Sequence, residues 1–238
     1  MTLHVLSTRS AGASENMATD FLLLQRYPAV AARFRHYDWH RPAFTFGYSQ
    51  KIELVRAQLP AGETFDLCRR PTGGGIVDHR DDWTYALVIP RGHPLEELSA
   101  TQSYRTVHEA LALALQSQQI PAVVKLACDP ASEGQTCGAS GVCFQRAELY
   151  DVVNATSEMK IAGAAQKRNK RGLLFQGSIS RLASGSAVDW DLFHEEFVRA
   201  LAAALQIEAV PTPWPEFAEG EMDGLIEQYS STEWIDYR

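Results

Sequence analysis

RRPTGGGIVDH, residues 69–79, carries a strand-like run into three consecutive glycines. Backbone of this kind either turns with positive φ or lies against an object that leaves no room for a Cβ. Both readings are open from the residues: a plain tight turn between strands, or a loop facing a ligand. No Gly-Lys-Ser/Thr follows, so this is not a Walker loop, and the Gly-x-Gly-x-x-Gly spacing of a dinucleotide fingerprint is absent. Arg69 and Arg70 precede the glycines and His79 follows them. Backbone N–H groups, a guanidinium and an imidazole converging on one pocket would suit an acyl carbonyl or a phosphate. His79 taken alone reads as a structural histidine.

Outward from this loop, strand-like and helix-like runs are mixed. Residues 14–27 read as a helix with Ser14 as cap and Met17, Phe21 and Leu24 on one face. Strands are expected at 32–39, 43–50, 66–70 and 82–90, the last alternating Trp83, Tyr85, Leu87 and Ile89 with Thr84, Ala86 and Val88, as for a strand with one face in the core. A helix over 99–118 carries Tyr104, Val107, Leu111 and Leu115 at helical spacing, and a strand follows at 122–128. Residues 129–141 are rich in Ser, Gly and Thr and read as a loop. GVCF, YDVVNA, MKIAGAAQ and LLFQGSISRL read as short β pieces, with a hairpin around 156–158. Asp189 caps a last long helix to about Leu205, which the proline-rich VPTPWPEF breaks. The pattern predicts an α+β fold, largely antiparallel sheet with helices packed on it, in one domain over residues 1–238.

With 238 residues, 45% hydrophobic and 21% charged, the chain can bury a sizeable core. A formal net charge of −7 argues against nucleic acid or an anionic membrane as partner. Of the five lysines, Lys160, Lys167 and Lys170 crowd one segment with Arg168 and Arg171, a basic patch that could receive an acidic protein or simply be a solvated hairpin tip. The cysteines, at 68, 128, 137 and 143, show no metal-binding spacing, so no metal is expected. The start MTLHVLSTRSAGAS is not a signal peptide and no apolar run reaches membrane-spanning length, which predicts a cytoplasmic protein with reduced thiols.

Cys143 and Lys160 admit two readings. One is a small buried apolar side chain and a solvated hairpin lysine. The other is a nucleophile with a cation that favours the thiolate and steadies an oxyanion, the parts acyl transfer needs.

RRPTGGGIVDH resembles the Arg-Arg-x-Ser/Thr-Gly-Gly-Gly/Arg-x-Val-x-His motif of the biotin and lipoate protein ligase superfamily, and MKIAGAAQKR, residues 159–168, resembles its Lys-Ile/Val-x-Gly-Ser-Ala segment. NMATDFLLL, FTFGYSQ and LIEQYSSTEW also look like this superfamily, so the resemblance covers nearly the whole chain. VCFQRAELYDVV resembles the cysteine-containing stretch of the Gram-positive-type octanoyltransferases, and AAQKR and LLFQGSI are similar to later segments of that type. Ligases of the superfamily usually show Arg-Asn-Asp where this chain has Leu149-Tyr150-Asp151.

The resemblance implies transfer of an octanoyl group from acyl carrier protein to a lysine of a lipoyl domain, such as the glycine-cleavage H protein. Cys143 would carry the acyl group as a thioester and Lys160 would hold the carbonyl oxygen. Gly73, Gly74 and Gly75 would line the path of the chain, with Arg70, His79, Gly163 and Ala164 around the substrate. No cofactor is then required. The alternative within the superfamily is an ATP- and Mg-dependent lipoate-protein ligase, with Arg70 and the glycine loop facing an adenylate and Cys143 a bystander. A further alternative is an inactive acyl-binding relative.

Overall fold

The computed structural model describes residues 1–26, 30–127 and 147–237. The GVCF piece, the loop expected over 129–141, and Cys128, Cys137 and Cys143 lie outside the described residues.

The strands are β1 (Thr2–Ala11), β2 (Ala31–Trp39), β3 (Ala43–Phe46), β4 (Asp66–Arg69), β5 (Ile76–Asp78), β6 (Asp82–Pro90), β7 (Ala122–Val124), β8 (Val152–Asn154), β9 (Lys160–Asn169), β10 (Gly172–Ser180) and β11 (Glu208–Thr212). The helices are α1 (Ala13–Gln25), α2 (Ile52–Arg56), α3 (Pro94–Glu97), α4 (Ala100–Gln116), α5 (Arg181–Ser184), α6 (Trp190–Leu205), α7 (Glu221–Ser230) and α8 (Thr232–Ile235). Among the described residues, eight strands form one sheet in the order β11-β1-β2-β6-β10-β9-β8-β7, and three form a small sheet, β4-β3-β5. The pairings are antiparallel except β1 with β2, β1 with β11, and β3 with β4. The fold is α+β with a mostly antiparallel sheet, as the sequence predicts.

Strand β6 sits at the centre and explains the layering. Trp83, Tyr85, Leu87 and Ile89 enter a core with Val107, Leu111 and Leu115 of α4 and Phe193, Phe197 and Leu201 of α6. Ala86 and Val88 pack on the opposite face against Leu23 and Leu24 of α1. All nine residues of β6 are buried, so the expectation of one buried face is corrected: α1 covers the second. Each large side chain buried this way contributes about 1.5–3 kcal/mol of hydrophobic free energy.

Three further expectations change. Helix α1 begins with Gly12 at its cap and no side-chain cap, so Ser14 lies inside the first turn. The expected strand at 122–128 is regular only over Ala122–Val124. After α6 ends in left-handed Gln206, strand β11 forms over Glu208–Thr212, taking in only the first three residues of the proline-rich segment, and pairs parallel to β1 where the sequence predicts no strand. Pro211 is compatible with that role because β11 is an edge strand and needs partners on one side only. Asp189 caps α6 as expected, and Ser99, read as the first residue of its helix, is the cap of α4.

Candidate functional site

The two signature segments lie on different sheets. The glycine loop joins β4 to β5 in the small sheet, and Lys160 opens β9 in the large one. A cavity of about 540 Å³ lies between them, and every described residue expected at the site lines it: Arg70, Gly73, Gly74, Gly75, His79, Lys160, Gly163 and Ala164. Cys143 lies outside the described residues.

The loop is held by tight backbone packing. Gly74 has φ 91°, a left-handed value that favours glycine. A Cβ on Gly47 would fall on the carbonyl oxygen of Gly74, so the two backbones touch where a side chain would separate them. Arg70 is 4% exposed and turns its guanidinium on the loop itself, donating from Nη2 to Gly73 O at 2.9 Å and Gly75 O at 3.0 Å. Its Nη1 donates to Thr45 Oγ1 at 2.8 Å. The arginine that sequence reasoning aimed at a ligand therefore also fixes the loop.

His79 is bonded within the same wall. Thr45 Oγ1, already accepting from Arg70, donates to His79 Nε2 at 2.7 Å, and the Nδ1–H donates to Asp82 Oδ2 at 2.7 Å. The same carboxylate oxygen accepts from Thr84 Oγ1 at 3.0 Å and from the Ser178 hydroxyl. Trp39 stacks on the imidazole with ring centroids 4.1 Å apart. Deeper in the wall, Gln176 accepts from Thr72 Oγ1 at 2.7 Å and donates to Asp20 Oδ2 at 2.6 Å, while Asp20 also pairs with Arg35 at 2.7 Å. Burial pushes the Asp20 carboxyl up, and the Arg35 charge opposes that shift. Thr45, Thr84, Gln176 and Ser178 line the cavity, yet their polar hydrogens are directed to partners in the wall.

At the other side, Lys160 Nζ lies 2.7 Å from Asp151 Oδ2; the side chains are 8% and 1% exposed. Asp151 Oδ1 accepts from the Tyr104 hydroxyl at 2.5 Å, and Ala164 N–H donates back to that hydroxyl at 3.0 Å. Burial, then the Asp151 charge, pushes the Tyr104 phenol well up, so it stays a donor. Behind this group His108 donates from Nδ1 to Tyr150 O at 2.6 Å, and burial pulls its pKa down to about 4. Sequence reasoning missed Asp151 as a site residue and read Tyr104 as part of a helical apolar face.

Cys68 does not belong to this cavity. It packs with Ala13, Met17, Ala18 and Tyr229, and burial pushes its thiol up to about 12, which leaves it unreactive at neutral pH. Among the described residues no group of three or more His, Cys, Asp or Glu side chains could hold a metal, and no helix is long and apolar enough to cross a membrane.

The family of the lipoyl protein ligase A/B catalytic domain matches residues 12–205. The chain belongs to that family. Octanoyltransferase LipM of Oceanobacillus iheyensis is 32% identical over 184 residues, covering 76% of this chain and 64% of that protein. The alignment with this relative spans less than two thirds of the relative's own length. Octanoyltransferase LipM of Exiguobacterium sp. is 26% identical over 98% of each chain. Among solved structures, the putative lipoate protein ligase Ta0514 of T. acidophilum, with bound lipoic acid, superposes with a TM-score of 0.75 at 20% identity over the full length of both chains. That likeness establishes the lipoate ligase catalytic fold. The family's model stops at residue 205, so α7 and α8 lie beyond it.

Proposed function

We propose that this lipoyl protein ligase A/B-type chain is an octanoyltransferase of protein lipoylation, working in the cytoplasm as one catalytic domain. The observation that carries the reading is the convergence of Lys160 and the glycine loop on one cavity whose lining hydroxyls and amides are bonded within the wall. Such a wall makes little demand for polar ligand groups and suits an alkyl chain, while the Lys160 ammonium in the lining suits a carbonyl. The similarity to proteins named Octanoyltransferase LipM supports the same chemistry.

In this reading the Cys143 thiolate attacks the carbonyl carbon of an octanoyl thioester on acyl carrier protein. The bond to the carrier's sulfur breaks and the carrier leaves as a thiol, taking up a proton. The ε-amine of a lysine in a lipoyl domain, or in the H protein of glycine cleavage, then attacks the octanoyl-Cys143 thioester. An amide forms, the Cys143–acyl bond breaks, and the amine proton returns the cysteine to its thiol. Lys160 steadies the oxyanion of both steps. The donor thioester supplies the driving force, so the balance needs no ATP and no metal.

Intact mass spectrometry after incubation with octanoyl carrier protein tests this. An octanoyl adduct on the wild type that is released by hydroxylamine and missing from Cys143→Ala is the expected result. Lipoylation of the acceptor by Cys143→Ala with ATP, Mg and free lipoate would replace the reading with a ligase. No transfer from either donor by the wild type would leave an acyl-binding relative.

A further inference from the structure

We infer that Asp151 is a positioning residue for the Lys160 ammonium, held in place by Tyr104; the inference rests on the proposed role of Lys160 at the reacting carbonyl. A buried ion pair is a poor device for stability, because desolvating both charges offsets their attraction. The surroundings of this one are nevertheless unusually constrained. Tyr150, just before Asp151, has φ 67°, a conformation that persists in a bulky residue only where its surroundings over-determine it. Three hydrogen bonds do so: Tyr150 N–H to Lys125 O at 2.8 Å, Lys125 N–H to Asp151 O at 2.9 Å, and His108 Nδ1–H to Tyr150 O at 2.6 Å.

The carboxylate is then aimed from both sides. Tyr104 donates to Oδ1 at 2.5 Å, and Glu148 N–H donates to Oδ2 at 2.7 Å, the oxygen that meets Lys160 Nζ. Gly163 keeps the space open: a Cβ there would lie 2.8 Å from Lys160 Nζ and 3.2 Å from Asp151 Oδ1. Lysine is a flexible point charge that sets no geometry of its own. An oxyanion is stabilised well only by a donor already in place, so a fixed carboxylate converts a mobile cation into a preorganised one. Tyr104 links this to the cavity wall, since its hydroxyl also receives Ala164 N–H.

A double-mutant cycle separates this role from a structural one. Asp151→Asn keeps the shape and removes the charge. It should slow single-turnover octanoyl transfer by about tenfold to a hundredfold while KM for octanoyl carrier protein changes by less than about threefold. Tyr104→Phe should slow transfer in the same direction by a smaller factor. In a Lys160→Gln background, either change should cost less than about twofold more, because the group it acts through is gone. Wild-type rates in Asp151→Asn, or losses that multiply in the double variant, would overturn the inference. If Asp151→Asn does not fold, the cycle of Tyr104→Phe with Lys160→Gln decides by the same criterion. Should the wild type transfer only free lipoate with ATP, the transferase reading falls by itself, and the cycle run on that reaction still decides the role of Asp151.

Discussion

A methyl group at position 163 would fall 2.8 Å from both Cε and Nζ of Lys160, so the missing side chain of Gly163 and the ammonium of Lys160 claim the same space. The obstacle is the end of a flexible side chain, not backbone. Gly163→Ala should therefore fold with a melting temperature close to wild type while the ammonium is displaced. Transfer should slow by about tenfold, the scale of losing one well-placed donor in part. A variant with normal single-turnover rates would show that the lysine works from some other position.

The glycine loop separates strain from contact. A side chain at Gly74 meets φ 91° and Arg70 Nη2 at 3.2 Å, whereas one at Gly73 meets nothing within 4 Å. Gly74→Ala should destabilise the protein by about 1–3 kcal/mol, measured by urea unfolding. Gly73→Ala should leave stability near wild type and weaken binding of an octanoyl ligand, measured by calorimetry. Unchanged affinity in Gly73→Ala would make the loop a turn only.

Acid should destabilise the fold before carboxylates titrate. Burial holds His108 at about 4 against an ordinary 6.5, so between those values the unfolded chain binds a proton that the folded chain does not. Stability is full above pH 6.5 and declines toward pH 4, with roughly 3 kcal/mol from this group. His36 and His194, also lowered chiefly by burial, act in the same direction. His108→Asn, which can still donate to Tyr150 O, should flatten the slope of unfolding free energy against pH; an unchanged slope would assign it to the other histidines.

Transferase and ligase chemistry part at the sulfur. A serine hydroxyl is a far weaker nucleophile than a thiolate at neutral pH, so Cys143→Ser should abolish transfer from octanoyl carrier protein, as should Cys143→Ala. Added ATP and lipoate should not restore it. Gel-based detection of the modified acceptor reads both arms.

The sequence exposed what chemical type and local spacing encode. The triple glycine, Arg70, His79 and Lys160 stand out through their match to the superfamily's motifs, since each alone also admits a structural reading, and Asp189 announces a helix start through hydrogen bonds two and three residues away. The residues that hold them do not stand out. Tyr104 meets Asp151 across 47 positions and Gln176 meets Asp20 across 156, pairings that periodicity cannot register. Thr45 reads as an ordinary strand residue until Arg70 and His79 are found on either side of its hydroxyl. Strand β11 escaped for the same reason: it is made a strand by β1, some 200 residues away, not by its own alternation.

Arg69 is fully buried beside the loop, and its guanidinium donates to Tyr48 O and Gln50 O on one side and to Trp234 O and Ile235 O on the other. Trp234 Nε1 donates back to Arg69 O at 2.8 Å. The strand that feeds the glycine loop thus closes on residues made more than a hundred and sixty positions later. On the ribosome, a chain that has emerged only through α6 carries the family signatures but leaves that guanidinium without two of its carbonyl acceptors. The base of the strand that leads into the glycine loop is therefore completed only by residues 234–235.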